Sequence, residues 1–225
     1  MQSKHLFILA ITLLVNTLQS QILLVPERVF DGKEIHNRWV VAIDSNRISY
    51  AGPLSDLKRA SSYTKKELKG MTLMPGIIEG HSHLLLHPYN ETEWNDQVLK
   101  ESPTERAIRG SVHAKNSLMA GVTAMRDLGS EGAGYTDIYL KKTIDDGIIP
   151  GPRTLMAGPA IVATGAYGPK GFHDGVTVPL GAVPVSGREN AIKEVRTQLG
   201  NGANFIKIYA DYLSLIHISE PTRPY

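Results

Sequence analysis

Two histidines separated by one residue carry the strongest chemical signal in this chain. The stretch at positions 74–83 reads MPGIIEGHSH and ends in His81 and His83. Side chains alternate between faces along a strand, so both imidazoles would point to the same side. Neutral imidazole is a common metal ligand and suits zinc, iron and nickel. The pair therefore predicts a metal site at the end of a strand.

Chance is the alternative explanation for this pair, because the chain contains 8 histidines in 225 residues. The setting nevertheless favours a metal role. Ile77 and Ile78 suit a buried strand, and Gly80 allows the backbone to approach a ligand closely.

A lysine later in the chain has a similar setting. The stretch 204–209 reads NFIKIY, and strand alternation would place Phe205, Lys207 and Tyr209 on one face. Burial lowers the pKa of a lysine, and a neutral amine can add carbon dioxide to form a carbamate that bridges two metal ions. The alternative is an ammonium group that reaches a carboxylate or solvent at the strand end. The earlier histidines make the carbamate the leading hypothesis.

Strands and helices alternate in the region that contains these residues. Beyond the histidines, we predict helices at 104–120, 135–146 and 187–199, and strands at 122–125, 154–157 and 204–209. Ser102 is a candidate helix cap, and Pro103 suits the first helical position. The alternation predicts an α/β fold with a parallel sheet, either half of a (β/α)8 barrel or an open doubly wound sheet. In both folds, ligands bind at the C-terminal ends of the strands.

Shorter strands precede this region. We predict strands at 22–29, 39–44 and 47–51, separated by Asp-Gly and Gly-Pro turn signals, and a charged surface turn at 65–69. This pattern indicates a small β-sheet unit before the main domain.

The two ends of the chain carry signals of another kind. Residues 1–20 have the charged, apolar and polar order of a secretory signal peptide, which predicts export to the periplasm or the cell exterior; the alternative is a buried N-terminal element. Asn90 begins an N-glycosylation sequon, which matters in a eukaryotic host. Residues 213–225 read LSLIHISEPTRPY and resemble the translation of a sequencing adapter, so we expect the native sequence to stop near Tyr212. The alternative is a genuine Pro-rich tail.

Composition excludes several classes of protein and site. The net charge is +2 and no basic cluster stands out, so nucleic acid is not an expected partner. The chain has no cysteine, which excludes disulfides, thiolate metal ligands and a cysteine nucleophile. No membrane association is expected after cleavage of the signal peptide. The sequence leaves open whether the protein forms a homo-oligomer.

Three motifs in order resemble the amidohydrolase superfamily, in the imidazolonepropionase-like branch that includes Xaa-Pro dipeptidases. They are MPGIIEGHSH at 74–83, GVTAMRD at 121–127 and NFIKIY at 204–209. The resemblance implies that residues 74–212 form the first four βα units of a (β/α)8 barrel of the TIM type. It also implies a partial β-sandwich domain at 21–73.

The resemblance further implies two divalent metal ions, with zinc expected. His81 and His83 would hold the more buried ion, and carbamylated Lys207 would bridge to the second. The resemblance places two more histidines and a general-base aspartate beyond residue 212. We therefore expect the chain as written to be inactive, with no catalytic base of its own.

Several other residues invite a functional interpretation. The weaker candidates for the substrate pocket are Tyr167, His87 and His173. Tyr167 lies where relatives often carry Gly-His-Gly, whereas the two histidines fall in loops where a solvated role is the alternative. We expect His113 to be a surface residue of a helix, and Arg126 and Asp127 to form a structural ion pair.

Together these features predict an exported metal-dependent hydrolase of amide C–N bonds in small peptide-like substrates, with a dipeptide as the first candidate. A metal-activated hydroxide would attack the carbonyl carbon. One alternative is a cyclic-amide hydrolase of the imidazolonepropionase type, against which the signal peptide argues. The other is a non-catalytic secreted binding protein with the same fold, against which the retained histidines and lysine argue.

Overall fold

The computed structural model describes residues 21–210, which divide into two compact units between Pro75 and Gly76. The predicted signal peptide and the predicted adapter tail lie outside the described residues. Within the described range, no helix has both the length and the apolar character needed to cross a membrane.

The first unit is a five-stranded β-sheet. Its strands are β1 (Gln21–Phe30), β2 (Ile35–Asn37), β3 (Trp39–Asp44), β4 (Arg47–Pro53) and β5 (Thr64–Leu73). The order is β2-β1-β3-β4, with antiparallel pairing, and β5 adds to β1 in parallel. Leu23, Val40 and Ala42 form its core. The three predicted strands in this unit are confirmed.

The prediction of a surface turn at 65–69 is wrong, because these residues belong to β5. Lys65 aligns with Leu23 and Glu67 with Val25 in the parallel ladder with β1. Most side chains of β5 are exposed. A strand exposed on both faces lacks the alternation of apolar and polar residues. Its many charged residues are therefore also typical of a surface turn.

The second unit contains a three-stranded parallel sheet in the order β6 (Ile77–Ser82), β7 (Val122–Asp127) and β8 (Arg153–Met156). A separate parallel pair consists of β9 (Ile161–Ala163) and β10 (Val183–Val185). The helices are α1 (Trp94–Lys100), α2 (Pro103–Met119), α3 (Thr136–Asp145) and α4 (Arg188–Gly200). The alternation confirms the predicted α/β class and the three longer helices.

Local sequence explains where α2 begins. The side chain of Ser102 accepts a hydrogen bond from the backbone amide of Glu105 at 3.1 Å, and Pro103 is the first helical residue. Gly121 follows the helix with φ +96, a conformation that glycine adopts without strain. The chain then enters β7 directly. The C-terminal end of β7 lies beside the C-terminal end of β6.

The two faces of the β6-β7-β8 sheet differ. One packs against α2 and α3 in a core that includes Leu85, Met125 and Met156. The other face is open, with Ile78 78% and Leu155 52% exposed.

The predicted fourth strand at 204–209 is wrong as a regular strand. The segment runs parallel to its neighbours and forms one isolated bridge between Ile208 and Ile161. The amide of Asn204 donates to the carbonyl of Met156 at 2.9 Å, and the carbonyl of Lys207 accepts from the amide of Ile161 at 2.8 Å. The neighbouring chain leaves strand conformation between β8 and β9, so a continuous ladder does not form.

Candidate metal centre

His81 and His83 lie at the C-terminal end of β6. Their ring centroids are 5.4 Å apart and the rings meet edge to face. His81 is exposed and His83 is partly buried. Two imidazoles this close can present nitrogen atoms to a common region at the end of the sheet.

The pKa of His81 is lowered from its ordinary value, first by desolvation and then by the charges of His83 and Lys207. Glu79 opposes this effect. A lower pKa favours the neutral imidazole, which is the form that binds metal ions.

His83 is anchored by the loop that follows β7. Its Nδ1 lies 3.0 Å from the carbonyl oxygen of Gly129 and 3.8 Å from Oε1 of Glu131. The contact with a carbonyl requires hydrogen on Nδ1, which leaves Nε2 with its lone pair for a metal ion.

Lys207 lies in the segment beside β9. Its ammonium nitrogen is 4.6 Å from the ring centroid of Tyr209. The structure places His81 and His83 together, whereas Lys207 lies in a different segment and its ammonium group contacts the ring of Tyr209.

An open cleft of about 500 Å³ runs along the end of β6. Its lining includes His81, His83, His87 and His113. His87 contacts two carboxylates, with Nδ1 3.5 Å from Glu91 and Nε2 3.8 Å from Glu101. The prediction of His87 near the site is therefore compatible with its position, although acidic side chains surround it.

His113 is not the surface residue that the helical pattern predicts. It is half-buried, and its Nδ1 lies 2.9 Å from the carbonyl oxygen of Leu84. This contact ties α2 to the loop that follows the histidine pair.

The ion pair predicted for Arg126 and Asp127 is wrong. Arg126 donates to the carbonyl of Gly80 at 2.9 Å, whereas Asp127 is fully buried on the other face of β7. The carboxylate of Asp127 accepts from the amides of Leu84 at 2.6 Å and Gly129 at 3.2 Å. Adjacent residues on a strand face opposite sides, which is why the two side chains separate.

The other two pocket candidates lie in different surroundings. Tyr167 is partly buried, and its hydroxyl donates to Oε2 of Glu131 at 2.7 Å. His173 is in a loop with a 77% exposed side chain, and its Nδ1 accepts from the amide of Gly175 at 3.1 Å. Neither residue lines the cleft at the end of β6 in the described structure.

Sequence reasoning missed Glu131, which is 1% exposed beside the histidine pair. Its carboxylate oxygens accept from Trp94 at 2.8 Å, Tyr167 at 2.7 Å and Tyr209 at 3.3 Å. The sequence signal was indirect: Glu131 stands in the glycine-rich loop after a strand, where such loops often form sites.

The chemistry of these donors fits part of a metal centre. Two imidazoles lie close together, and the amine of Lys207 would need carbamylation to serve as a ligand. Among residues 21–210, no group of three or more His, Cys, Asp or Glu is arranged to hold a metal ion. The described residues therefore supply an incomplete ligand set.

An α/β sheet with polar side chains gathered at the C-terminal ends of its strands has the architecture of a small-molecule site. The amidohydrolase family model matches residues 72–224, and the chain belongs to the amidohydrolase family.

Particular relatives refine this assignment. The chain is 30% identical over 198 residues to ochratoxinase from Aspergillus niger, covering 80% of this chain and 39% of that protein. It is similar to a prolidase complexed with N-methylphosphonate-L-proline, at 26% identity and a TM-score of 0.68, covering 84% of this chain and 46% of that one. It is also similar to an Xaa-Pro dipeptidase with bound methionine, at 25% identity and a TM-score of 0.67, with coverages of 84% and 47%. The chain thus spans less than half the length of each.

Proposed function

We propose that this chain is part of a metal-dependent hydrolase that cleaves amide C–N bonds in small peptide-like substrates. The observation that carries the proposal is the pairing of His81 and His83 at the C-terminal end of β6, with ring centroids 5.4 Å apart. Membership of the amidohydrolase family supports the same reaction class.

A dipeptide is the first substrate to test. The prolidase and the Xaa-Pro dipeptidase among the similar structures support this choice, and ochratoxinase supports testing other small amides beside it.

We assign His81 and His83 to one divalent metal ion and carbamylated Lys207 to a bridge between that ion and a second, with zinc expected for both. Bound divalent metal would polarise the substrate carbonyl and lower the pKa of a water molecule. The chain contributes a neutral His81 imidazole and a His83 ring whose Nδ1 is held by Gly129.

We also propose that the complete protein closes a (β/α)8 barrel. The open face that exposes Ile78 and Leu155 supports this, because that face would become the barrel interior. The remaining ligands and the general-base aspartate would follow residue 212, and residues 21–73 would contribute to a β-sandwich. We also propose that residues 1–20 direct export and that residues 213–225 derive from a sequencing adapter. The family match itself extends to residue 224.

The test begins with the source transcript, sequenced past the codon for Tyr212. We expect the reading frame to continue through four more βα units. The resulting full-length protein should hydrolyse dipeptides, lose activity with a chelator and regain it with zinc. A genuine stop after Tyr225 would contradict the proposal.

Lys207→Ala tests the bridging ligand. Metal content measured by mass spectrometry should fall in this variant and stay unchanged in Lys193→Ala, a control on the exposed side of α4. Two metal ions retained in Lys207→Ala would overturn the carbamate bridge. Metal binding without hydrolysis of any amide would instead favour the non-catalytic binding protein.

A further inference from the structure

We infer that Glu131 is the positioning residue that fixes His83 and the segment carrying Lys207 relative to each other. This inference rests on the proposed function, because it concerns the residues assigned there to metal binding. It adds a residue that binds neither metal nor substrate and acts through its neighbours.

The two carboxylate oxygens of Glu131 face different partners. Oε1 lies 3.8 Å from Nδ1 of His83 and 3.3 Å from the hydroxyl of Tyr209, whose single hydrogen is shared between Glu131 and the Tyr167 hydroxyl 3.1 Å away. Oε2 accepts from Trp94 at 2.8 Å and Tyr167 at 2.7 Å. Oε1 therefore faces His83 and Tyr209, whereas Oε2 anchors the carboxylate to α1 and to the loop after β9.

Tyr209 connects this carboxylate to Lys207. The two residues are two positions apart, and the ammonium nitrogen of Lys207 is 4.6 Å from the Tyr209 ring centroid. The Tyr209 ring stacks on Tyr167 with centroids 4.5 Å apart. Backbone hydrogen bonds to Met156 and Ile161 hold the 204–209 segment, and the side-chain contacts of Tyr209 add to them.

The backbone at Glu131 is held in an unfavourable conformation. Its φ is +50, in the left-handed region that disfavours side chains, and Tyr167 is likewise left-handed at φ +57. Arg106, itself 1% exposed, donates to the carbonyls of Ser130 and Glu131, both at 2.8 Å. Strain maintained by a buried arginine indicates that the position of this carboxylate matters more than the conformational preference of the loop.

The charge of Glu131 also lies near the His83 ring, at a distance longer than a hydrogen bond. The ring nitrogen that does not bind metal commonly donates to a carbonyl or a carboxylate, and loss of that partner weakens metal binding. Gly129 supplies the carbonyl, and Glu131 adds negative charge behind the same nitrogen atom.

The test measures zinc affinity by competition titration in the full-length protein and in Glu131→Gln, Tyr209→Phe and Trp94→Phe. In Glu131→Gln, the amide oxygen can still accept from Trp94 and Tyr167, but the amide nitrogen cannot accept from Tyr209 and carries no negative charge beside His83. We expect zinc affinity to fall about 10–100-fold in Glu131→Gln, by a smaller factor in Tyr209→Phe, and to change little in Trp94→Phe. Melting temperature measured without metal separates these effects from loss of folding.

The outcomes distinguish this inference from the proposed function. Wild-type protein that binds no zinc would overturn both. Zinc binding in wild type with equal affinity in Glu131→Gln would overturn only the role of Glu131, as would an equal loss in all three variants. If Glu131→Gln does not fold, the zinc affinity of Tyr209→Phe tests the inference instead. An unchanged zinc affinity in that variant would overturn the link between Glu131 and Lys207.

Discussion

The carbonyl oxygen of Gly129 lies 3.0 Å from Nδ1 of His83, across 46 residues of sequence. This contact joins the loop after β7 to the end of β6. It fixes the imidazole with hydrogen on Nδ1 and a lone pair on Nε2, the form in which His83 can bind a metal ion. Backbone geometry in one loop thus determines which nitrogen atom of a side chain in another loop is available.

Gly129→Ala should therefore weaken zinc binding. Gly129 has φ +145, and an added Cβ would meet only ordinary contacts, the nearest 3.6 Å away, so the effect comes through the backbone. Relaxation of that conformation would move the carbonyl away from His83. We expect a stability loss of about 1–3 kcal/mol together with reduced zinc affinity, measured by urea unfolding and metal titration.

Gly134→Ala is the matched control, since Gly134 has φ +59 and open space around it. It should lose comparable stability and keep its zinc affinity. Equal zinc affinity in wild type and Gly129→Ala would contradict the role of the carbonyl.

Asp127→Ala should destabilise the second unit. The buried carboxylate satisfies the amides of Leu84 and Gly129, and its removal leaves both without an acceptor. We expect a loss of at least about 2 kcal/mol in the free energy of unfolding. Asp145 forms a surface ion pair with Lys141, so Asp145→Ala should lower the free energy of unfolding by less than about 1 kcal/mol. Similar losses in the two variants would show that Asp127 has no special structural role.

Asp137 should make stability depend on pH. Burial raises its pKa to about 6, while hydrogen bonds from the amides of Gly158 and Ile138 act against that shift. The folded state therefore holds a proton more tightly than the unfolded state. The resulting stabilisation is full below the ordinary pKa of 3.8 and is lost as the pH rises through about 6.

Urea unfolding of wild type and Asp137→Asn across that pH range measures this effect. The difference between the two proteins should shift in favour of Asp137→Asn as the pH rises, by at most roughly 3 kcal/mol. A difference that is constant with pH would show that Asp137 has the same pKa in the folded and unfolded states.

Ser102→Ala should remove the cap of α2. The lost hydrogen bond to the amide of Glu105 is expected to cost about 1 kcal/mol, measured by thermal unfolding. Ser111→Ala, inside the same helix, should be neutral or slightly stabilising because alanine is the better helix former. A loss at Ser111 as large as that at Ser102 would contradict capping as the cause.

Elements with local signals were predictable from sequence. The cap at Ser102 and the glycine after α2 mark the helix ends, and apolar runs mark β6 and β7. In contrast, β5 carries charges on exposed faces and has no strand pattern of its own, because its pairing with β1 creates the strand. The 204–209 segment has a strand pattern, yet the break in its neighbour prevents a ladder.

By itself, the sequence determined the α/β alternation and the placement of His81 and His83 at the end of β6. These features follow from residue types and short spacings, which act within a few residues along the chain. Only the tertiary structure decided which side chains from distant parts of the chain contact each other. Glu131 meets Trp94 across 37 residues and Tyr209 across 78, and no local pattern encodes such contacts. The positions of a buried carboxylate and of the ring nitrogen that it faces depend on how distant loops pack, which is settled when the chain folds.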